Sequence, residues 1–190
     1  KVSGLGQEND RLAEVRAVCD SSDVVIACLG LDSSLEGEEG DEGNEFASGD
    51  KPGLSLPGLQ QEILEAACES GKPVILVILS GSALAVTWAD EHVPAIIEGW
   101  YPGAMGGKAL ASVLFGECSP EGKLPVTFYR TTEELPDFRD YSMKGRTYRY
   151  MEQKALYPFG YGLSYTDFGV EEATVSGDTI EKGEKLSVEA

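Results

Sequence analysis

Apolar residues recur along this chain with two alternating periods. Between Glu8 and Asp20, Leu12, Val15 and Cys19 fall on one helical stripe, with Asn9 or Asp10 placed to cap its start. Asp23–Gly30 (DVVIACLG) is a short apolar run rich in β-branched residues, the pattern of a strand covered on both faces of a parallel sheet. A long Gly-rich acidic stretch, Leu31–Leu56, follows. Leu59, Ile63, Leu64 and Ala67 then mark a second helix that Gly71 should stop. Pro73–Leu79 (PVILVIL) predicts the next buried strand, Ser80–Ser82 a turn leading to a short helix through Trp88, and Ala95–Trp100 (AIIEGW) a third strand. After Tyr101-Pro102-Gly103 a helix carries Met105, Ala109, Leu110, Val113 and Leu114.

Strand and helix in alternation predict an α/β fold, a mostly parallel sheet sandwiched by helices. Ligands of such sheets gather beyond the carboxyl ends of the strands, where the loops Leu31–Leu56, Ser80–Ser82 and Tyr101–Gly107 fall. The acidic stretch is too long for a mere connector. After Gly116 the texture changes. PEGKLPVTFYR reads as a turn and a strand, and residues 131–168 as an aromatic-rich arm and linker with no helical stripe. The tail, 169–190, alternates like the opening strands of a fibronectin-type β-sandwich that two or three strands cannot complete. The domains are thus expected at 1–130 (α/β sandwich), 131–168 (arm) and 169–190 (truncated sandwich). A start at Lys1 and a tail that stops inside a sandwich lead us to expect an excised piece of a longer protein.

Charge narrows the partners. Of 190 residues, 33 are acidic and 15 basic, a net charge of −18. That surplus repels phosphate backbones and anionic membranes, so neither nucleic acid nor membrane is expected as a partner. Mean hydropathy is −0.17, and no apolar run approaches the roughly 20 residues of a membrane span. Cys19, Cys28, Cys68 and Cys118 lie far apart, without a C-x-x-C pair, and are expected as reduced, mostly buried thiols. Their dispersion leans towards the cytoplasm. The one histidine, His92, fits no zinc spacing and should sit at a helix end, so no metal or cofactor is expected.

Between Asp32 and Asp50 stand eight acidic residues and no basic one. Three readings fit that composition: a solvated loop, a calcium site, or acid/base chemistry. The EF-hand order cannot be laid onto it. Crowded carboxylates raise one another's pKa, which suits a general acid. Ser80-Gly81-Ser82 lacks the G-x-S-x-G elbow of a nucleophilic serine. Gly103–Lys108 matches no phosphate loop and predicts close packing at a helix start.

Five segments in order, LEGEEG…SGDKPGLSLPGLQQ, PVILVILSGSALAV, WYPGAMGGKALASVLFGECSPEGKLPVTF, RTYRYM and YPFGYGLSYTDF, resemble the C-terminal α/β sandwich domain of glycoside hydrolase family 3. The resemblance implies a retaining β-glycosidase, a β-glucosidase or β-xylosidase acting on small glycosides or oligosaccharides. Its aspartate nucleophile would lie in an N-terminal (β/α)8 barrel, and its acid/base glutamate in this domain, the two carboxyl groups about 5–5.5 Å apart. Relatives carry that glutamate in E-G-x-D-R or E-x-E-x-x-D-R. Here Glu36-Gly37-Glu38-Glu39-Gly40-Asp41 is followed by Glu42 where they have arginine, with Gly49-Asp50-Lys51 placed to restore the pair. Glu38 is accordingly the first choice for acid/base, followed by Glu36 and Glu39. Arg146 and Tyr148 stand in a motif shared with β-xylosidase-like members, as candidates for binding sugar or for clamping the arm onto the barrel. The resemblance makes the barrel a partner, implies no cofactor and leaves homo-oligomerisation open. The rival expectation, from the altered E-G-x-D-R pattern, is a non-catalytic carbohydrate-binding or scaffolding module.

Overall fold

The computed structural model describes residues 12–33, 35–36, 51–167, 169 and 172–189. Asn9, Asp10, Glu38, Glu39, Glu42 and the Gly49-Asp50 step lie outside them. Three parallel strands form the sheet: β1 (Val25–Gly30), β2 (Val74–Leu79) and β3 (Ala95–Glu98), in the order β1-β2-β3. Val25 pairs with Val74 and Gly30 with Leu79, while Ile75 pairs with Ala95 and Ile78 with Glu98. Parallel neighbours need crossovers, and the helices α2 (Gln60–Glu69) and α3 (Thr87–His92) supply them. Helix α1 (Leu12–Asp20) packs on α2, and α2 on β1. Gly71, at φ 71°, ends α2 as expected, its N–H donating to the Cys68 carbonyl (3.1 Å).

The central strand is the dry one. Val74, Leu76, Val77 and Ile78 of β2 are all buried, and Leu64, Leu84 and Phe128 complete the core around them. The edge strand differs from the expectation of cover on both faces. Val25, Ala27 and Leu29 pack into the core, whereas Val24, Ile26 and Cys28 are exposed. α2, with α1 packed on it, covers one face of β1, and among the described residues the other face is left exposed. The same geometry corrects the cysteines: Cys19 is buried and Cys68 half-buried, but Cys28 and Cys118 are exposed, all four as free thiols.

A 3-10 turn (Gly103–Met105) leads into α4 (Gly106–Leu114). A Cβ on Gly106 would lie 2.3 Å from Pro102 Cγ, so close packing, as expected, explains this glycine-rich start. The strand expected in PEGKLPVTFYR is reduced to one bridge, Phe128 to Tyr157. Leu124 exchanges hydrogen bonds with Gly160 and Tyr161, and Phe128 with Leu156 and Tyr157. The arm contains only a 3-10 turn (Thr132–Glu134) and one helical turn, α5 (Thr147–Tyr150). Its start is stitched to the sheet domain: Thr132 Oγ1 accepts the Leu54 N–H (2.9 Å), and Thr87 Oγ1 donates to the Arg130 carbonyl (2.7 Å). In the tail, β4 (Thr174–Val175) pairs antiparallel with β5 (Val188–Glu189), two exposed residues each.

Candidate functional site

The loops after all three strands meet at the carboxyl edge of the sheet. Gly30 ends β1 at φ 136°, with its Cα so close to β2 that a Cβ would lie 2.1 Å from the Leu79 carbonyl oxygen. The Gln60 amide forks onto Gly30: Oε1 accepts its N–H (2.7 Å), and Nε2 donates to its carbonyl (2.8 Å). The Asp32 carbonyl then accepts the N–H groups of Leu35 (3.0 Å) and Glu36 (2.9 Å), a turn that brings Glu36 back over the sheet.

Glu36 is where the loops join. Its Oε1 accepts a hydrogen bond from Ser82 Oγ (2.7 Å). Its Oε2 accepts from the Tyr101 hydroxyl and from the Gly81 N–H (3.3 Å). The loop after β2 leaves room for this only because residue 81 is glycine: a Cβ there would stand 2.7 Å from both Glu36 Oε2 and Tyr101 Cε2. Ser80 Oγ donates to the Ser82 carbonyl (2.9 Å) and fixes the turn. Although about half of the Tyr101 surface is exposed, its hydroxyl is pushed up to about 12, first by desolvation and then by its bond to Glu36. Lys51, at the far end of the acidic stretch, is half-buried and donates to the Gly53 carbonyl (3.0 Å). Burial lowers its pKa and the attraction of Glu36 acts against that fall.

One site residue escaped the sequence reading. Glu98 ends β3 with Oε1 accepting the Trp100 N–H (2.9 Å), while Oε2 is buried without a hydrogen-bond partner. Burial pushes its pKa up to about 7, with the Trp100 N–H and Ser80 pulling the other way. The signal was there in a single carboxyl inside the apolar run AIIEGW, since such a group is seldom buried without cause. Trp100 itself sits at φ 51°, a left-handed conformation that a bulky residue adopts at a cost. Its ring packs edge-on to the buried Phe128, at 6.2 Å between centroids, which holds the turn in place.

Arg146 and Tyr148 lie together at α5 in the arm. The Arg146 guanidinium donates to the Asp140 carbonyl, and its Nε is buried without a partner. Tyr148 stacks on Phe159, 4.6 Å between centroids, with the Arg149 guanidinium 5.8 Å from its ring centre. Thr147 between them is at φ 55° and donates its N–H to the Tyr129 hydroxyl (3.2 Å). A cavity of about 340 Å³ opens beside them between Tyr129, Glu134, Asp140, Lys144 and Met151. Ser80 is fully buried and bonded to its own turn, so it presents no nucleophile. His92 ends α3 with its ring stacked on Trp88 (4.3 Å). Among the described residues no three His, Cys, Asp or Glu side chains gather as a metal site.

Comparison with known proteins agrees with this architecture. The family described as "Glycosyl hydrolase family 3 C-terminal domain" matches residues 2–165. A xylan 1,4-β-xylosidase of Xylanibacter ruminicola is 54% identical over 156 residues, 82% of this chain and 18% of that protein. A periplasmic β-glucosidase of Salmonella typhimurium is 35% identical over 178 residues, 87% of this chain and 22% of that protein. Among solved structures, a β-glucosidase from Erythrobacter marinus superposes with a TM-score of 0.75 at 36% identity, over 93% of this chain and 23% of that one. The chain thus spans about a fifth of the length of the curated relatives it matches.

Proposed function

Because the chain belongs to glycosyl hydrolase family 3, as part of its C-terminal domain, we propose that it supplies the acid/base glutamate of a retaining β-glycosidase that removes terminal glucose or xylose from small glycosides. The observation that carries this reading is the convergence of three strand-end loops on Glu36, at the point where the acidic stretch leaves the sheet. The nucleophilic aspartate belongs to a barrel domain that this chain would partner.

Glu38 is the acid/base. A group that protonates a leaving oxygen must turn one carboxyl oxygen towards it, and both oxygens of Glu36 are engaged by donors of the neighbouring loops. Glu38, two residues further on in the stretch that matches the family's acid/base loop, takes that role in this reading, and Glu39 is next in line. In the first half-reaction the aspartate attacks the anomeric carbon while Glu38 gives its proton to the departing oxygen. In the second, the Glu38 carboxylate takes a proton from water, whose oxygen displaces the aspartate from the same carbon. Arg146 and Tyr148, on the arm, contribute to the sugar site or hold the arm against the barrel.

The test is made in the full-length enzyme that contains this chain. Glu38→Ala should cut turnover of glycosides with poor leaving groups by about a hundredfold or more. Azide should restore turnover and yield the β-glycosyl azide. This chain alone should hydrolyse an aryl β-glycoside no faster than buffer. The second reading, a non-catalytic module, draws on Glu42 in place of arginine. Full activity in all three alanine variants of Glu36, Glu38 and Glu39 would establish it.

A further inference from the structure

Glu36 is placed for something other than proton transfer. Its carboxyl group accepts hydrogen bonds from both of the other strand-end loops, one oxygen from Ser82 and the other from Gly81 and Tyr101. Those partners lie 45, 46 and 65 residues away in sequence, so the contact is purely tertiary. Each partner is held in turn. The Ser80 hydroxyl locks the turn containing Gly81 and Ser82. The left-handed Trp100, packed on Phe128, aims Tyr101. Gly81 is kept small by the clasp itself.

We infer that Glu36 is a positioning residue: its carboxyl clasps the loops after β1, β2 and β3 and thereby sets where the acidic stretch leaves the sheet, and so where the acid/base glutamate meets the substrate. This rests on the reading that the acid/base group lies just beyond Glu36. The physical basis is the steep dependence of proton transfer on geometry, by which a shift of about 1 Å costs up to a hundredfold. Loss of the clasp should therefore slow the protonated step and leave ground-state sugar binding nearly intact.

The experiment uses Glu36→Gln, Glu36→Ala and Tyr101→Phe in the full-length enzyme, with Glu38→Ala and Glu39→Ala beside them. The readouts are kcat and KM on aryl glycosides with good and poor leaving groups, melting temperature, and azide product. Glu36→Gln and Tyr101→Phe should lower kcat on the poor leaving group about ten- to hundredfold. On the poor leaving group KM should change less than about threefold, and kcat/KM on the best leaving group, which reports only the first half-reaction, should fall little. Their effects should not add in the double variant, because they break one clasp. No glycosyl azide should form in Glu36→Ala. Tyr101→Phe alone suffices should the Glu36 variants fail to fold. Wild-type kinetics in Glu36→Gln, or equal losses of kcat/KM on good and poor leaving groups, would overturn the clasp. Azide rescue of Glu36→Ala would overturn both the clasp and the Glu38 reading. Rescue of Glu39→Ala instead of Glu38→Ala would remove only the Glu38 reading, since the clasp positions whichever of the two carries the proton.

Discussion

Glu98 is a carboxyl group that the fold prefers uncharged. Its pKa rises from 4.5 to about 7 because the end of β3 is largely withdrawn from water. A group raised in the folded state contributes stability that is complete below its unfolded value and is lost as pH climbs through the folded one. The domain should accordingly lose stability between pH 5 and 8 by about 1–2 kcal/mol from this residue, after allowing for partial solvent screening. Glu98→Gln, which keeps an acceptor for the Trp100 N–H, should flatten that slope and be the more stable protein at pH 8. Urea melts at pH 5 and pH 8 compare the two; an unchanged slope in the variant would assign the pH dependence elsewhere.

At the scale of elements, the fork from Gln60 to Gly30 ties the first turn of α2 to the last residue of β1, so helix and strand end report on one another. Gln60→Ala leaves both Gly30 backbone groups without their partner and should cost about 1–3 kcal/mol. It should appear as a lower urea midpoint with an unchanged slope. The elements themselves were legible: the 3.6 and run-length patterns place α1, α2, α4 and all three strands, because each buries a stripe its own sequence encodes. What packs over a strand is not so encoded, so the apolar run of β1 predicts cover on a face that the structure leaves exposed. The ribbon at Phe128 suits a strand by its side chains, and the structure gives it one bridge, to Tyr157. At the site, the rim was legible from loop order alone. The partners of Glu36 were not, since hydrogen bonds spanning 45 to 65 residues leave no local periodicity. Glu38 and Glu39, chosen from the family resemblance, lie outside the described residues.

Across the whole molecule, two surface properties oppose one another. Val24 and Ile26 on the edge strand, and Phe115, Phe138 and Tyr141 elsewhere, expose large apolar side chains. Such surfaces favour self-association, above all beside an unpaired strand edge. The net charge of −18 keeps copies apart through a repulsion that salt screens. This chain on its own should therefore sediment as a monomer in about 20 mM salt and associate in about 500 mM, where the screening length falls to a few ångströms. Ile26→Lys should weaken that association; a sedimentation profile indifferent to salt would remove the charge from this account. The tethering of the acidic stretch at both ends has a consequence of another kind. Glu36 is bound into the sheet rim, and beyond the stretch the Leu54 N–H is held by Thr132 Oγ1. Residues added between 37 and 50 would lengthen a span whose two ends are already held by the fold, at only about 0.6 kcal/mol for each doubling. Length there is nearly free of folding cost, so the reach of the proposed proton donor can be retuned by insertion, as a craftsman changes a blade without recutting the handle.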